Sequence, residues 1–578
     1  MEQRNPFEYV GANDLEPSMI LDYYIEDFNY SRFIQSMRNV VLVGERGSGK
    51  SMTLLYNSLS QQLLKSSRAG TAIDLQRIGV YVPCNTPLTH KKECQLLNPA
   101  QGSALSEHYL VLSIAYQIAE TLGVLSDILD GETLIRVRER LEFTWDAQLP
   151  QRDSLFTAIK DYIQKEILST QRQANDDNEL DAVYQHTFSF SSMIVPLLGI
   201  LVKEIPKLRK SHFMLMIDDA HDLNPEQLAA VASWIAYRDH SLFSFKVAIA
   251  NLTKTSLKTS SGGSILEGHD YIRLDLVQPF QNENSDFGRL AVRLIERRLR
   301  SFNITRTPDQ FFPMGTQLAS DLEEAERIVR EEVSRKYPED GKKISDFVHK
   351  YKRAYYFRSR PAHANRPEYS GFNTLVFLST GVIRNLLQPC YWMYDKVLSI
   401  ASGEQDVPID RIPPSIQSEI ILARSRALWD WLRDGLEKDI DGCSKDDARR
   451  AQQLLENLAQ HFRERLFKHR SEPRANSFTV SGHNEELLQK LKEIFEILRK
   501  AQLLYVRSGS AKDAGKREWY YVPNRMLWPD KGLDPHGQHA RVSLSITALW
   551  ASAEENVPIP FRFDDKEGPD PAVQEELF

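Results

Sequence analysis

Short unbroken apolar runs alternate with helical periodicity along the first 280 residues. Residues 39–44 read Asn-Val-Val-Leu-Val-Gly, which predicts a short buried strand, and residues 51–64 follow with a helical pattern. Residues 77–83, rich in Val, Ile and Tyr, predict a second strand. From about 108 to 207 the pattern is helical with breaks, and the polar stretch 171–181 reads as a loop. Residues 213–217, 245–250 and 271–276 predict three more strands. Asn224-Pro225-Glu226-Gln227 opens a helix: Asn caps it, Pro fits the first turn, and Gln at the third position completes a capping box. Strands that alternate with helices predict an α/β fold with a mostly parallel sheet covered on both faces.

After residue 280 the strands stop. Residues 287–302, 316–335, 344–357 and 373–400 all carry helical periodicity, and a Pro-containing boundary follows at 407–414. Helices are expected at about 415–436, 444–468 and 484–500. Two β-rich runs, 503–507 and 517–522, flank a polar loop at 508–516 and predict a hairpin. Helices followed by a hairpin have the outline of a winged helix.

At 578 residues the chain is too long for one ordinary core, so several domains are expected. Its 42% hydrophobic and 26% charged residues fit a globular protein. The net charge of −7 excludes a protein that coats nucleic acid everywhere, so any such contact must be local. Cys84, Cys94, Cys390 and Cys443 form no C-x-x-C pair and stand beside no His cluster, which argues for buried free thiols rather than zinc or disulfides. The N-terminus is polar, and the longest apolar run, 193–202, holds Pro196 and Gly199 and is too short to span a bilayer. A cytoplasmic protein without a membrane segment is expected.

The chemistry concentrates in Gly44-Glu45-Arg46-Gly47-Ser48-Gly49-Lys50-Ser51, a Gly-x-x-x-x-Gly-Lys-Ser loop between a predicted strand and a predicted helix. Glycines let backbone N–H groups face phosphate oxygens, and the helix start adds its positive end. Lys50 reaches the β- and γ-phosphates, Ser51 offers a hydroxyl to Mg²⁺, and Met52 continues the cradle. ATP with Mg²⁺ is the expected ligand. The run Met214-Leu215-Met216-Ile217 ends in Asp218 and Asp219. Asp218 is expected on the Mg²⁺ side, and Asp219 stands where a general base for the attacking water belongs, one methylene shorter than Glu.

On these residues the sequence resembles the AAA+ ATPases, in their Orc/Cdc6-like and STAND-like branches, over roughly residues 5–400. The resemblance implies a P-loop core at 1–280 with the helical insertion at about 108–207. It also implies an α-helical lid at 281–405. A winged-helix-like domain at 406–560 and an acidic tail at 561–578 would complete the chain. It implies a first sensor at Asn251, with Thr253 as the fallback. A second sensor is implied at Arg384 in Gly381-Val382-Ile383-Arg384. The arginine finger of the family usually lies between the fourth and fifth strands. Residues 251–270 contain no Arg, only Lys254 and Lys258, and Arg238 is a weaker candidate.

Residues 342–366 hold eight Lys/Arg and one acidic residue, interleaved with aromatics. Lys350, Lys352, Arg353 and Arg358 could neutralise phosphates while Tyr355, Tyr356 or Phe357 pack on sugars or bases. A solvated helix whose aromatics serve the core is the competing account. The hairpin loop carries Lys512, Lys516 and Arg517, placed to follow a nucleic-acid backbone. Two functions stay open. One is an ATP-hydrolysing protein that acts on or is regulated by DNA, in replication, mobile elements or defence. The other is a nucleotide-dependent switch that assembles with protein partners. Either is compatible with assembly of copies of this chain.

Overall fold

The computed structural model describes the chain except for residues 1–4, 9–10, 27–29, 85–97, 127–128, 175–186, 237–240, 251–256, 277–284, 360–366, 402–408, 469–474, 511–516, 538–540 and 561–578. It divides into two compact units, Val10–Val277 and Met1–Tyr9 with Gln278–Phe578.

The first unit is built on five strands: β1 (Val40–Val43), β2 (Arg77–Pro83), β3 (His212–Asp218), β4 (Phe243–Ile249) and β5 (Ile272–Asp275). They form one sheet in the order β2-β3-β4-β1-β5, and every pair is parallel. β1, β3 and β4 are buried along their whole length, which is why apolar residues stand on both of their faces, with Ser244 and Lys246 the buried polar exceptions in β4. Alternate residues still divide between two cores. Val41 and Val43, Phe213, Leu215 and Ile217 join the larger cluster, under the helices Pro99–Gly123, Phe190–Glu204 and Pro225–Ala236. Val40, Leu42, Met214, Met216 and Ala248 pack on the other face with Leu54.

The expected capping box is present. Gln227 N–H donates to Asn224 Oδ1 at 2.8 Å, and Asn224 N–H donates to Gln227 Oε1 at 3.2 Å. Three local expectations are corrected. The helix expected over 51–64 is two helices, Lys50–Tyr56 and Leu59–Ala69, because Ser58 is extended and Asn57 turns its side-chain amide back onto Thr53 O at 2.8 Å. The insertion begins at Pro99, where Asn98 caps the first turn, and not at 108. Residues 171–174, expected in a loop, still belong to the helix Leu155–Ala174; residues 175–181 lie outside the described residues.

The second unit is mostly helical around one large hydrophobic cluster that runs from Phe7 to Ile559. The helix expected over 373–400 is broken into Phe372–Leu378 and Ile383–Ala401. Thr380 (φ 54°) and Gly381 (φ 80°) are left-handed at the break, a conformation that ends one helix and frees the chain to start another. Past Pro414–Asp434 and Lys445–Lys468 comes a four-stranded sheet of β6 (Ser477–Ser481), β7 (Leu504–Ser510), β8 (Arg517–Pro523) and β9 (Arg541–Ser545), ordered β7-β8-β6-β9. β7 and β8 form the expected antiparallel hairpin, with β7 running on to Ser510. β6 and β9, which the sequence pattern did not predict, pair with each other in parallel. The helix Glu485–Lys500 buries Leu488, Leu491, Ile494, Phe495 and Leu498. The acidic tail and residues 407–408 of the expected boundary lie outside the described residues.

Among the described residues no helix is long and apolar enough to cross a membrane, and no cluster of His, Cys, Asp or Glu has the arrangement of a metal cage. Cys84, Cys390 and Cys443 are buried and stand outside any disulfide; Cys94 lies outside the described residues.

Candidate functional site

Strand order brings the chemistry together. β4 lies between β1 and β3, so the loop after β1 and the carboxylates after β3 flank the same C-terminal edge of the sheet. In open α/β sheets this edge is where ligands bind.

Four buried residues, Val-Val-Leu-Val, carry the chain into the loop. A Cβ on Gly44 would sit 2.5 Å from Ser48 Oγ and 3.3 Å from Leu276 Cβ, so a side chain there would displace the Ser48 hydroxyl from the loop. Gly47 (φ 85°) and Gly49 (φ 96°) are left-handed and turn successive peptides before the helix Lys50–Tyr56 begins. Lys50 is 5% exposed, and its Nζ donates to Gly44 O at 3.0 Å and Glu45 O at 3.1 Å. Burial pushes its ammonium below the ordinary lysine value, while Asp219 and then Asp218 oppose the loss of charge. Both carboxylates therefore lie within electrostatic reach of Lys50. Ser48 Oγ is buried without a hydrogen-bond partner. Glu45 is half-buried and Arg46 exposed at the rim. Met52 packs with Ile20, Tyr24 and Tyr56, where the helix Pro17–Tyr23 covers the start of the loop helix.

Asp218 is 1% exposed at the end of β3. Burial pushes its carboxyl above the usual range and Asp219 adds to this; hydrogen bonds with Ser51 and Tyr81 pull it back. Tyr81 Oη donates to Asp218 Oδ2 at 2.7 Å and also lies 2.8 Å from the Asn13 side chain. Asp219 N–H donates to Asp218 Oδ1 at 3.0 Å. Asp219 itself adopts φ 50°, ψ 42°, the left-handed region that Asp tolerates better than most residues and that turns the chain sharply off the strand.

The residues fit a nucleoside triphosphate and a magnesium ion. The cradle is one that a Cβ at Gly44 would fill, an orphaned hydroxyl and a buried ammonium face it, and hard oxygen donors from Ser51 and Asp218 lie together.

The other candidates are placed less fully. β4 leads toward Asn251, but Asn251, Thr253, Lys254 and Arg238 lie outside the described residues. Lys258 is bridged to Ser264 in the segment before β5. Arg384 stands in the first turn of Ile383–Ala401, half-buried, in the other unit. Its Gly381 has a local task as well, since the left-handed turn packs Val382 against Tyr505 and Val522 of the hairpin.

The basic segment is divided: Lys342, Lys343 and Lys350 are exposed, whereas Arg353 and Arg358 turn inward. Arg353 forms an ion pair with the buried Asp534 at 3.1 Å, and Arg358 Nε donates to Leu466 O. Lys352 pairs with Glu326 at 3.2 Å, and Lys350 lies on the exposed side of the same helix, Gly341–Ser359. Tyr356 and Phe357 are core residues and not stacking platforms, because the helix needs its apolar face for the cluster beneath it. Lys512 and Lys516 lie outside the described residues; Arg517 begins β8.

Sequence reasoning missed Tyr81 and Asn13. The signal was weak: Tyr81 stands two residues before the position paired with Asp218, a relation that appears only once the β2–β3 register is known.

No curated protein matches the chain. Among solved structures it is similar to the crystal structure of Cdc6p from Pyrobaculum aerophilum, with 10% identity over 99% of this chain and 98% of that one. The TM-score of 0.30 is too low for that likeness to carry structural weight. The model of the ORC-CDC6-like family matches residues 5–344 and 318–544. With nearly the whole chain matched, this protein belongs to the ORC-CDC6-like family of AAA+ ATPases.

Proposed function

We propose that the chain binds ATP with Mg²⁺ in the loop 44–52, hydrolyses it, and acts on or is regulated by DNA. The observation that carries the nucleotide part is the meeting of Lys50, Ser51, Asp218 and Asp219 at one edge of a parallel sheet. On binding, Lys50 trades the Gly44 and Glu45 carbonyls for phosphate oxygens. Loop N–H groups around Gly47 and Gly49 surround the same phosphates. Mg²⁺, when bound beside Ser51 and Asp218, supplies charge neutralisation at the phosphates. Asp219 takes the proton of the attacking water, with Asn251 and Arg384 as the proposed sensor residues. Residues 281–405 act as the lid and 406–560 as the winged-helix-like part, with Lys512, Lys516 and Arg517 the proposed DNA contacts.

Family membership supports an ATPase of the replication-initiator type. A second reading, a nucleotide switch that works through protein partners or copies of itself, gains from one observation. Arg353 and Arg358 turn their guanidinium groups inside the molecule, so two of the cations expected to meet phosphates are already engaged, while Lys342, Lys343 and Lys350 of the same helix stay exposed.

The test is steady-state ATP hydrolysis with and without double-stranded DNA, wild type beside Lys50→Ala. Loss of the buried ammonium should lower turnover by about 100-fold or more. Stimulation by DNA, absent in the variant, supports the DNA-associated ATPase. Slow turnover indifferent to DNA supports the switch. Unchanged nucleotide affinity and turnover in Lys50→Ala would sink both.

A further inference from the structure

The Asp218 carboxylate is held from a side that the phosphate loop does not reach. We infer that Tyr81 is a positioning residue for Asp218, its hydroxyl fixing the carboxylate for the metal and Asn13 fixing the hydroxyl. The inference rests on the reading of Asp218 as the Mg²⁺-side carboxylate.

Register explains how Tyr81 comes to do this. β2 and β3 pair in parallel with Tyr81 opposite Met216 and Pro83 opposite Asp218. Side chains two apart share a face, so Tyr81 and Asp218 project to the same side and are diagonal neighbours. A diagonal gap needs a long side chain, and a tyrosine spans it with a rigid ring. The ring packs against the cluster of Met214, Met216 and Ala248, which fixes its direction.

Both oxygens of Asp218 are then accounted for. Oδ1 accepts from Asp219 N–H at 3.0 Å, and Oδ2 accepts from Tyr81 Oη at 2.7 Å. Ser51 is the third donor, but its hydroxyl is the one a bound Mg²⁺ would claim. Tyr81 is therefore the side-chain donor that stays on the carboxylate when metal arrives. Its single proton goes to Asp218, so Asn13 Oδ1, placed 2.8 Å from the same Oη, cannot accept that proton as well. An Asn amide turned end for end presents Nδ2 at that place. The chain from Asn13 N–H to Tyr81 O–H to carboxylate then uses each donor once. Asn13 belongs to the short turn Ala12–Asp14, so the N-terminal segment of this unit is tied to the carboxylate through one hydroxyl.

A carboxylate deprived of such an outer hydrogen bond still binds metal, but less tightly, typically by about tenfold. The experiment is equilibrium binding of a fluorescent ATP analogue in EDTA and in saturating Mg²⁺, on wild type, Tyr81→Phe, Asn13→Ala and Lys50→Ala. Thermal unfolding of each variant checks the fold. Tyr81→Phe keeps the ring and removes the hydroxyl. Its affinity in EDTA should stay within about twofold of wild type, while the gain in affinity on adding Mg²⁺ falls by about tenfold. Asn13→Ala, on an exposed turn, should shift the Mg²⁺ gain the same way by less. An unaltered Mg²⁺ gain in Tyr81→Phe overturns the assignment. An equal loss with and without Mg²⁺ also overturns it, because that is what a merely structural tyrosine would give. Wild type reports separately on the reading beneath. If it gains nothing from Mg²⁺, or if Lys50→Ala binds as well as wild type, the metal role of Asp218 falls and takes this inference with it.

Discussion

Lys246 shows what a single buried charge does to this fold. It sits in the central strand β4 with no exposure, on the face that carries Ala248, and donates to Ser36 O at 2.7 Å and to Arg38 O. Burial, helped by the nearby Arg77, pushes its ammonium down to about 7. In the unfolded chain a lysine titrates near its ordinary value, about 10.4. Between those two values the unfolded chain holds a proton that the folded one lacks, so stability rises with pH across the window. The rise is at most about 1.4 kcal/mol per pH unit for one proton. Lys246→Met should remove this slope, and it should also cost about 1–3 kcal/mol by leaving two carbonyls without a donor. Urea unfolding at pH 7, 8 and 9, as wild type minus variant, isolates the group; parallel curves for the two proteins would refute it. Asp219 invites a second single-residue test. Asp219→Asn keeps size and the left-handed turn but cannot take a proton. It should bind nucleotide normally and slow hydrolysis by about 100-fold. Normal turnover would remove Asp219 as the base.

At the scale of elements, the break between Lys50–Tyr56 and Leu59–Ala69 constrains a neighbour. A Cβ on Gly79 of β2 would lie 2.1 Å from Asn57 O and 2.9 Å from Met216 Cε. The strand therefore needs a glycine where the helix break crosses it. Gly79→Ala must push backbone apart and should cost about 2–3 kcal/mol, read from the urea midpoint. Gly199→Ala is the contrast: it lies inside Phe190–Glu204 with open space around its Cβ, and should gain about 0.5–1 kcal/mol from helix propensity. Equal effects at the two glycines would contradict the packing account. This break was not legible in the sequence, because residues 51–64 keep helical periodicity and the glycine that makes room for it lies about twenty residues further on. The three inner strands of the first sheet, β1, β3 and β4, were legible because a parallel strand buried on both faces is rich in apolar residues, and the edge strands β2 and β5 by their shorter apolar stretches. β6 and β9 were not, since Phe478 and Val480, or Val542 and Leu544, alternate with serines and threonine in runs too short to stand out. The phosphate loop is contiguous, so its chemistry could be read directly. The Asn13–Tyr81–Asp218 chain joins residues 68 and 137 positions apart, and only strand register brings them together.

For the whole molecule the open matter is where a nucleic acid would be held, and the two basic segments make opposite predictions. In the second unit Arg353 pairs with Asp534, which is buried at 1% exposure and also accepts from His536 N–H at 3.2 Å. Asn476 Nδ2 donates to Asp534 O and His536 O, and Arg525 donates to Pro535 O and Gly537 O, so residues 534–537 are clamped from several elements. Removing Arg353 takes the guanidinium from a buried carboxylate that keeps the His536 backbone N–H and, at 2.9 Å, the His536 ring, and breaking such a buried pair typically costs about 3–5 kcal/mol. Arg353→Ala should therefore lower the unfolding midpoint, and at a temperature where the variant is folded its DNA affinity should match wild type. Charge reversal at Lys512, Lys516 and Arg517 should do the reverse: leave stability within about 0.5 kcal/mol, weaken DNA binding, and flatten the dependence of affinity on salt by roughly one unit of slope for each phosphate no longer neutralised. Fluorescence anisotropy with a labelled duplex at several salt concentrations, beside thermal unfolding, separates the two. A salt slope changed by Arg353→Ala in folded protein would return the basic helix to the interface. A slope unmoved by the triple reversal would take DNA away from the hairpin and leave the nucleotide switch as the better account of the whole chain.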